Sequence, residues 1–138
     1  MDAKAINQRI IEQFRAGGPI EGMHREGLLL LTTSGRRSGR PHTTPMMFVR
    51  DQNRLLVIAS NAGAQKHPDW YENLVRNADV TVEIGDEKYE ARAAPLEGED
   101  RDRTWQRITE RYPFFGQHQA QVERTNPVVE LTRVQPKR

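Results

Sequence analysis

The residues with the clearest capacity for chemistry lie in one stretch, SGRRSGRPHTT, Ser34 to Thr44, which holds Arg36, Arg37, Arg40 and His42, two glycines and no acid. Gly35 and Gly39 can take positive φ and expose backbone N–H groups beside the arginines. Such a turn suits a phosphate or carboxylates, which arginine binds in bidentate fashion. Three answers fit it: solvent alone, as at many charged hairpin tips; a nucleic-acid phosphate; or the anionic arm of a small cofactor. A second stretch, ASNAGAQKHPDW, joins the end of an apolar run to the start of a helix. Its N–H groups and the helix dipole can face an electron-rich ligand. Lys66 adds a positive charge there, Asn61, Ala62 and Gly63 are small enough for a flat ring to lie against the backbone, and Trp70 reads equally well as core.

Other chemistry is excluded or unsupported. The chain has no cysteine, so disulfides, thiolate nucleophiles and cysteine-ligated zinc are absent, and redox chemistry would have to come from a cofactor. The four histidines, His24, His42, His67 and His118, show no metal-ligand spacing. There is no G-x-S-x-G, Walker loop, G-x-G-x-x-G or H-E-x-x-H. A net charge of +2 hides an uneven distribution: Leu28–Arg50 carries four arginines and no acid, whereas Asp79–Asp100 carries eight acids against Lys88 and Arg92. That asymmetry favours an anionic ligand at one place, and the acidic half disfavours a general nucleic-acid coat.

The elements that must position these residues follow from periodicity. At 138 residues the chain has room for one real core. Ile6, Ile10, Ile11 and Phe14 recur at helical spacing until Gly17, Gly18 and Pro19 stop the run, which gives an N-terminal amphipathic helix and linker over residues 1–19. Residues 20–138 then form a single barrel-like domain. GLLLLTTS, HTTPMMFVR, RLLVIAS, DVTVEIG, YEARAAPLE and VVELTRV read as antiparallel strands, with DQNR and GDEK as hairpin turns. Pro45 places its strand at an edge or a bulge. A helix is expected from near His67, with Pro68 at its first position, to near Asn77, and another from Glu99 to Arg111, with Trp105, Ile108 and Tyr112 on one face and a break or kink at Pro113. The tally of about six strands and three helices indicates an α+β, mainly antiparallel small barrel or strongly bent sheet with packed helices. The N-terminus lacks the apolar core of a signal peptide and no run has the length of a membrane span, so a cytoplasmic location is the default.

Three segments taken together, LLLLTTSGRRSGRPHTTPMMFVRD, LLVIASNAGAQKHPDWYENLVRNADVTVEI and RYPFFGQHQAQVERTNPVVELTR, resemble the deazaflavin-dependent nitroreductase family, a branch of the split β-barrel flavin and deazaflavin oxidoreductases. The likeness runs from about Gly27 to Arg133. It implies an FMN-binding split-barrel-like fold and the coenzyme F420, a hydride carrier with a phosphate and an oligoglutamate tail. It would put Arg37 and His42 on the phosphate and tail with Arg36, Ser38 and Arg40 beside them. Pro45, Ala59, Ser60, Asn61 and Lys66 would lie along the cofactor, with Trp70 behind. Ser60 would present a hydroxyl near the reacting face, and Tyr112 would border the substrate and polarise or protonate it. Met47, Phe115 and His118 occupy positions where the best-known pattern of the family has aromatic hydroxyls, and His42 stands where that pattern has a basic residue of arginine type. The acceptor implied is a quinone, an activated alkene or a nitro compound, with nitroimidazole reduction the least supported.

Two alternatives stay open at this point: an FMN- or haem-binding split barrel, and a nucleic-acid module in which Trp70, Tyr71 and Tyr112 stack bases. The resemblance also allows a homodimer, and peripheral membrane contact through the first helix.

Overall fold

A computed structural model describes residues 3–18, 20, 25–60, 65–123 and 125–134. Among these the chain runs α1 (Ala3–Ala16), a single 3-10 turn (Arg25–Gly27), β1 (Leu28–Ser34), β2 (Pro41–Met47), β3 (Val49–Asp51), β4 (Arg54–Ile58), α2 (Asp69–Arg76), β5 (Asp79–Ile84), β6 (Glu87–Pro95), α3 (Gly98–Arg111), α4 (Pro113–Ala120) and β7 (Val128–Arg133). The strands form one antiparallel seven-stranded sheet in the order β2-β1-β5-β6-β7-β4-β3. It is a curled half-barrel with helices packed on it, the α+β architecture expected from the sequence.

The extra strand has a physical origin. HTTPMMFVR reads as one strand, but it is divided at Phe48, whose N–H donates to the carbonyl of Gly27 (3.2 Å) and closes the β1–β2 register before the chain turns to a new partner. The part before the bend pairs with β1 and the part after it pairs with β4, so one bent segment supplies both outer strands of the sheet. Pro45 is tolerated because β2 is an edge strand, opposite Leu30 of β1. The extra helix arises at Pro113, which opens α4 as a separate element after Tyr112. Pro68 is the residue before α2, which starts at Asp69.

Both faces of the central strands are covered, which explains their unbroken apolar runs. Leu29, Leu31, Val57, Val80, Val82, Val129 and Leu131 point into the barrel interior together with Leu74 and Trp70 of α2. On the outer surface, Leu28 and Leu30 pack under Ile11 and Phe14 of α1, while Val49, Leu56, Ile58 and Val128 pack under Ile108 of α3 and Phe115 of α4. Burying Ile11 and Phe14 contributes about 1.5–3 kcal/mol each, more than the propensity of a 14-residue helix supplies alone. Arg15 adds a bidentate contact to Glu83 of β5 (3.1 and 2.9 Å). The membrane contact expected of α1 therefore finds no support: the face that would meet a bilayer lies against the barrel. No helix among the described residues is long and apolar enough to cross a membrane.

The β3–β4 hairpin turns through Gln52 and Asn53, both at positive φ (51° and 68°), the geometry of a tight two-residue hairpin. Beside it, the buried Asp51 carboxylate accepts from Arg107 Nε (3.1 Å) and Nη2 (2.9 Å), with Arg54 at 3.7 Å. These hydrogen bonds, and then the surrounding guanidinium charges, outweigh burial and hold the Asp51 carboxyl below its ordinary value. Replacing Asp51 by Asn is expected to lower stability at pH 7 by about 1.5–3 kcal/mol in urea melts, the range for hydrogen bonds to charged groups. The carboxyl is more acidic folded than unfolded, so its contribution is complete above about pH 4 and fades as pH falls through the lowered folded value. The gap between the two proteins should close in that acid window.

Candidate functional site

The Gly-Arg turn connects β1 to β2, and its shape differs from the open nest expected of it. Gly39 has positive φ (73°), but Gly35 does not. The N–H of Gly35 donates to Arg40 O, that of Gly39 to Gly35 O (both 2.8 Å), that of Arg40 to Ser38 Oγ (3.1 Å) and that of Arg36 to Asn73 Oδ1 (3.2 Å). Four of the turn's six N–H groups, those of Gly35, Arg36, Gly39 and Arg40, are thus committed within the protein, and most of the affinity for an anion has to come from side chains. Gly35 is required for space: a Cβ there would stand 2.8 Å from both His42 Nε2 and Ser38 Oγ.

A cleft of about 620 Å³ opens beside this turn, a size ordinary for a small-molecule site. Its walls are Asn7, Gln8 and Ile11 of α1, the turn from Gly35 to Ser38, Pro41–Thr44 of β2, and Asp69, Trp70 and Asn73 of α2. A second groove of about 580 Å³ on the other side of Arg36 and Arg37 is lined by Lys66, Tyr71, Glu72, Val75 and Arg76. Arg37 lines both, and among the described residues no acid pairs with it; Arg40 is exposed and lines neither. Arg36, expected beside the anion, instead contacts Asn73 (3.0 Å), Asp69 (3.3 Å) and Glu72 (3.1 Å). Trp70 is both core and wall, 9% exposed at the base of the cleft.

The residues expected at the acceptor gather elsewhere, where Met47 at the far end of β2 meets Tyr112 and α4. Met47, three residues beyond the cleft-lining Thr44, packs with Tyr112 against Val49, Ile58 and Ile108. Phe115, expected to face the substrate, is 6% exposed and belongs to this core. Tyr112 lies edge-on to Phe115 (6.3 Å) and beneath the Arg111 guanidinium (5.2 Å), which donates to its hydroxyl (3.3 Å). His118 meets Phe114 edge-on (6.0 Å), with Nδ1 buried and without a hydrogen-bond partner. Between the two regions run buried Ala59 and Ser60 at the end of β4. Gln65 then donates to the carbonyl of Gln121 at the end of α4 (3.3 Å). Pro45 lies on β2 between the cleft and Met47, and Asn61 falls outside the described residues. Among the described residues no group of three His, Cys, Asp or Glu could hold a metal ion.

Sequence reasoning missed Asn73, Asn7 and Gln8. A lone asparagine in an amphipathic helix carries no signal, but α2's pattern places Asn73 with Trp70 and Leu74 on its buried face.

The curled antiparallel half-barrel, with a cationic cleft at one edge and an aromatic cluster beyond it, is of the split-barrel type. The sequence profile of the F420H(2)-dependent quinone reductase family matches residues 5–133, and the chain belongs to that family. It is 36% identical over 108 residues to an F420H(2)-dependent quinone reductase of Mycobacterium tuberculosis, covering 76% of this chain and 72% of the relative. A solved F420-H2 dependent reductase superposes with TM-score 0.69 at 34% identity, covering 80% of this chain and 99% of that one. Another structure, described as a domain-swapped dimer, superposes with TM-score 0.71 at 33% identity over 88% of this chain and 92% of that one. The coenzyme is F420.

The Gly35 contacts give a direct test. Replacing Gly35 by Ala must displace His42 and Ser38 but strains no core residue. The melting temperature is expected to stay within a few degrees while affinity for coenzyme F420 in a fluorescence titration falls about tenfold, the worth of one charge-assisted contact. Unchanged affinity would remove His42 from the ligand.

Proposed function

We propose that the chain reduces quinones with reduced F420, holding the coenzyme's anionic arm in the cleft beside Arg37 and the acceptor at the mouth formed by Met47, Tyr112 and His118. The observation that carries this reading is the cleft itself: Arg37 and His42 line a space of suitable volume with Trp70 in its wall. The donor set fits the group, because guanidinium and imidazole match a phosphate and carboxylates, while Ala59 and Ser60 leave the end of β4 free of bulk. When bound, the reduced deazaflavin supplies a hydride from its C5 position.

The protein's own residues orient and stabilise. Arg37, with Arg40 and Ser38 at the rim, anchors the negative arm, and Lys66 extends the positive charge toward the tail along the second groove. Pro45, Ala59, Ser60 and Asn61 flank the ring, with the Ser60 hydroxyl as hydrogen-bond donor near the reacting face. Tyr112 protonates the acceptor oxygen as it gains negative charge. Arg111 supports this role, because Tyr112 Oη accepts from Arg111 and its own proton remains for another acceptor. Met47 and the buried Phe115 make the mouth less rich in hydroxyls than a tyrosine-lined one, which favours flat apolar quinones over nitroimidazoles. Activated alkenes and other nitro compounds fall within the same chemistry. We include a homodimer in the proposal, supported by the domain-swapped relative.

Stopped-flow oxidation of reduced F420 by menadione, beside an equilibrium titration of the coenzyme, tests the reading. Catalysed oxidation is expected, with binding weakened about a hundredfold in Arg37→Ala/Arg40→Ala, the sum of two charge-assisted contacts. Absence of coenzyme binding at micromolar protein would overturn it. Tyr112→Phe should lower kcat about 10²-fold with coenzyme affinity unchanged, the ordinary worth of a positioned proton donor.

A further inference from the structure

We propose that Asn73 is a positioning residue for the anion site: its single carboxamide sets the shape of the Gly-Arg turn and thereby aims Arg37. The inference rests on the reading above, that Arg37 holds the coenzyme's anionic arm. Asn73 is 4% exposed on the inner face of α2. Its Oδ1 accepts from both the backbone N–H (3.2 Å) and the Nη1 (3.0 Å) of Arg36, and its Nδ2 donates to Thr33 Oγ1 (3.1 Å), a hydroxyl 1% exposed. The chemistry fixes the amide's orientation, since both Arg36 groups can only donate and only the hydroxyl can accept. No other side chain of this size accepts and donates in that way. The amide therefore joins Thr33 near the end of β1, Arg36 of the loop and α2 at one point, immediately before Arg37.

Arg36 transmits this hold. Its guanidinium also reaches Asp69 and Glu72, both in the first turn of α2. It thereby neutralises two carboxylates that would otherwise stand against an anion beside the cleft. Arg36 is thus a strut and a screen, and Arg37 is left as the cation shared by both grooves.

A double-mutant cycle on the full chain, read as the Kd for oxidised F420 by fluorescence titration with the melting temperature of each apo protein beside it, tests the assignment. Arg37→Ala is expected to weaken binding about tenfold. Asn73→Ala should do the same, yet cost less than twofold more in the Arg37→Ala background, because it acts through Arg37. Arg36→Lys keeps the charge facing Asp69 and Glu72 but loses the fork to Asn73. It should give the same coupled loss, and it serves as the reporter if Asn73→Ala does not fold. A lowered melting temperature with unchanged Kd would make Asn73 merely structural and overturn the proposal. Additive losses of about a hundredfold would also overturn it, placing Asn73 or Arg36 directly on the ligand. Absence of binding by the wild type would overturn the coenzyme reading and this proposal together.

Discussion

Everything in the molecule hangs on β1 being buried on both faces. Leu29 and Leu31 close the barrel interior and Leu28 and Leu30 seat α1, with none of the four more than 1% exposed. A strand so enclosed cannot slip by one residue, because a slip would exchange the two apolar sets and misalign both ladders it shares with β2 and β5. Its register fixes where Ser34 ends and hence where the Gly-Arg turn emerges. The same seating brings Asn7, Gln8 and Ile11 of α1 over the opposite wall of the cleft. Burial of four leucines is thus what places a cationic loop and an amphipathic helix face to face.

Much of this was legible in the sequence, because strands with strong β-formers and short turns announce themselves. The β3–β4 and β5–β6 hairpins fell where DQNR and GDEK placed them, and Pro45 marked an edge strand. What escaped were features set by tertiary partners. The bend at Phe48 falls where pairing passes from β1 to β4, and nothing in MMFVR signals it. The commitment of the Arg36 N–H depends on Asn73, 37 residues away on a different element and silent in the sequence around the turn. Phe115 stands at the substrate only through the family resemblance, and α4 turns its ring into the core with Leu56 and Ile58 of β4.

The charge asymmetry along the chain also acquires a structural meaning. Three of the eight acids in the acidic segment are matched by arginines from other elements: Glu83 by Arg15, Glu87 by Arg133 and Asp100 by Arg54. Most of these pairs are exposed at one partner or both, so each is worth little alone. Their effect is to remove negative field from a protein whose ligand is anionic. Among the described residues no such acid pairs with Arg37 or Arg40, and their field is left to act on what enters the cleft.

The two parts of the site obey different constraints. The anion cleft is framed by the turn, α1 and α2, all tied to β1 through buried contacts. The acceptor mouth depends on Tyr112, the hinge residue between α3 and α4, held by Arg111, whose Nη1 also donates to the carbonyl of Arg50 (2.9 Å). Only β2 and its continuation through Phe48 run through both. With about 3.3 Å per residue, Thr44 and Met47 stand about 10 Å apart, a spacing the ladder with β1 holds constant. A fixed distance between anchor and mouth lets binding energy from the anionic arm orient the reacting ring. The helix that begins at Pro113 can then change the acceptor without disturbing the anchor.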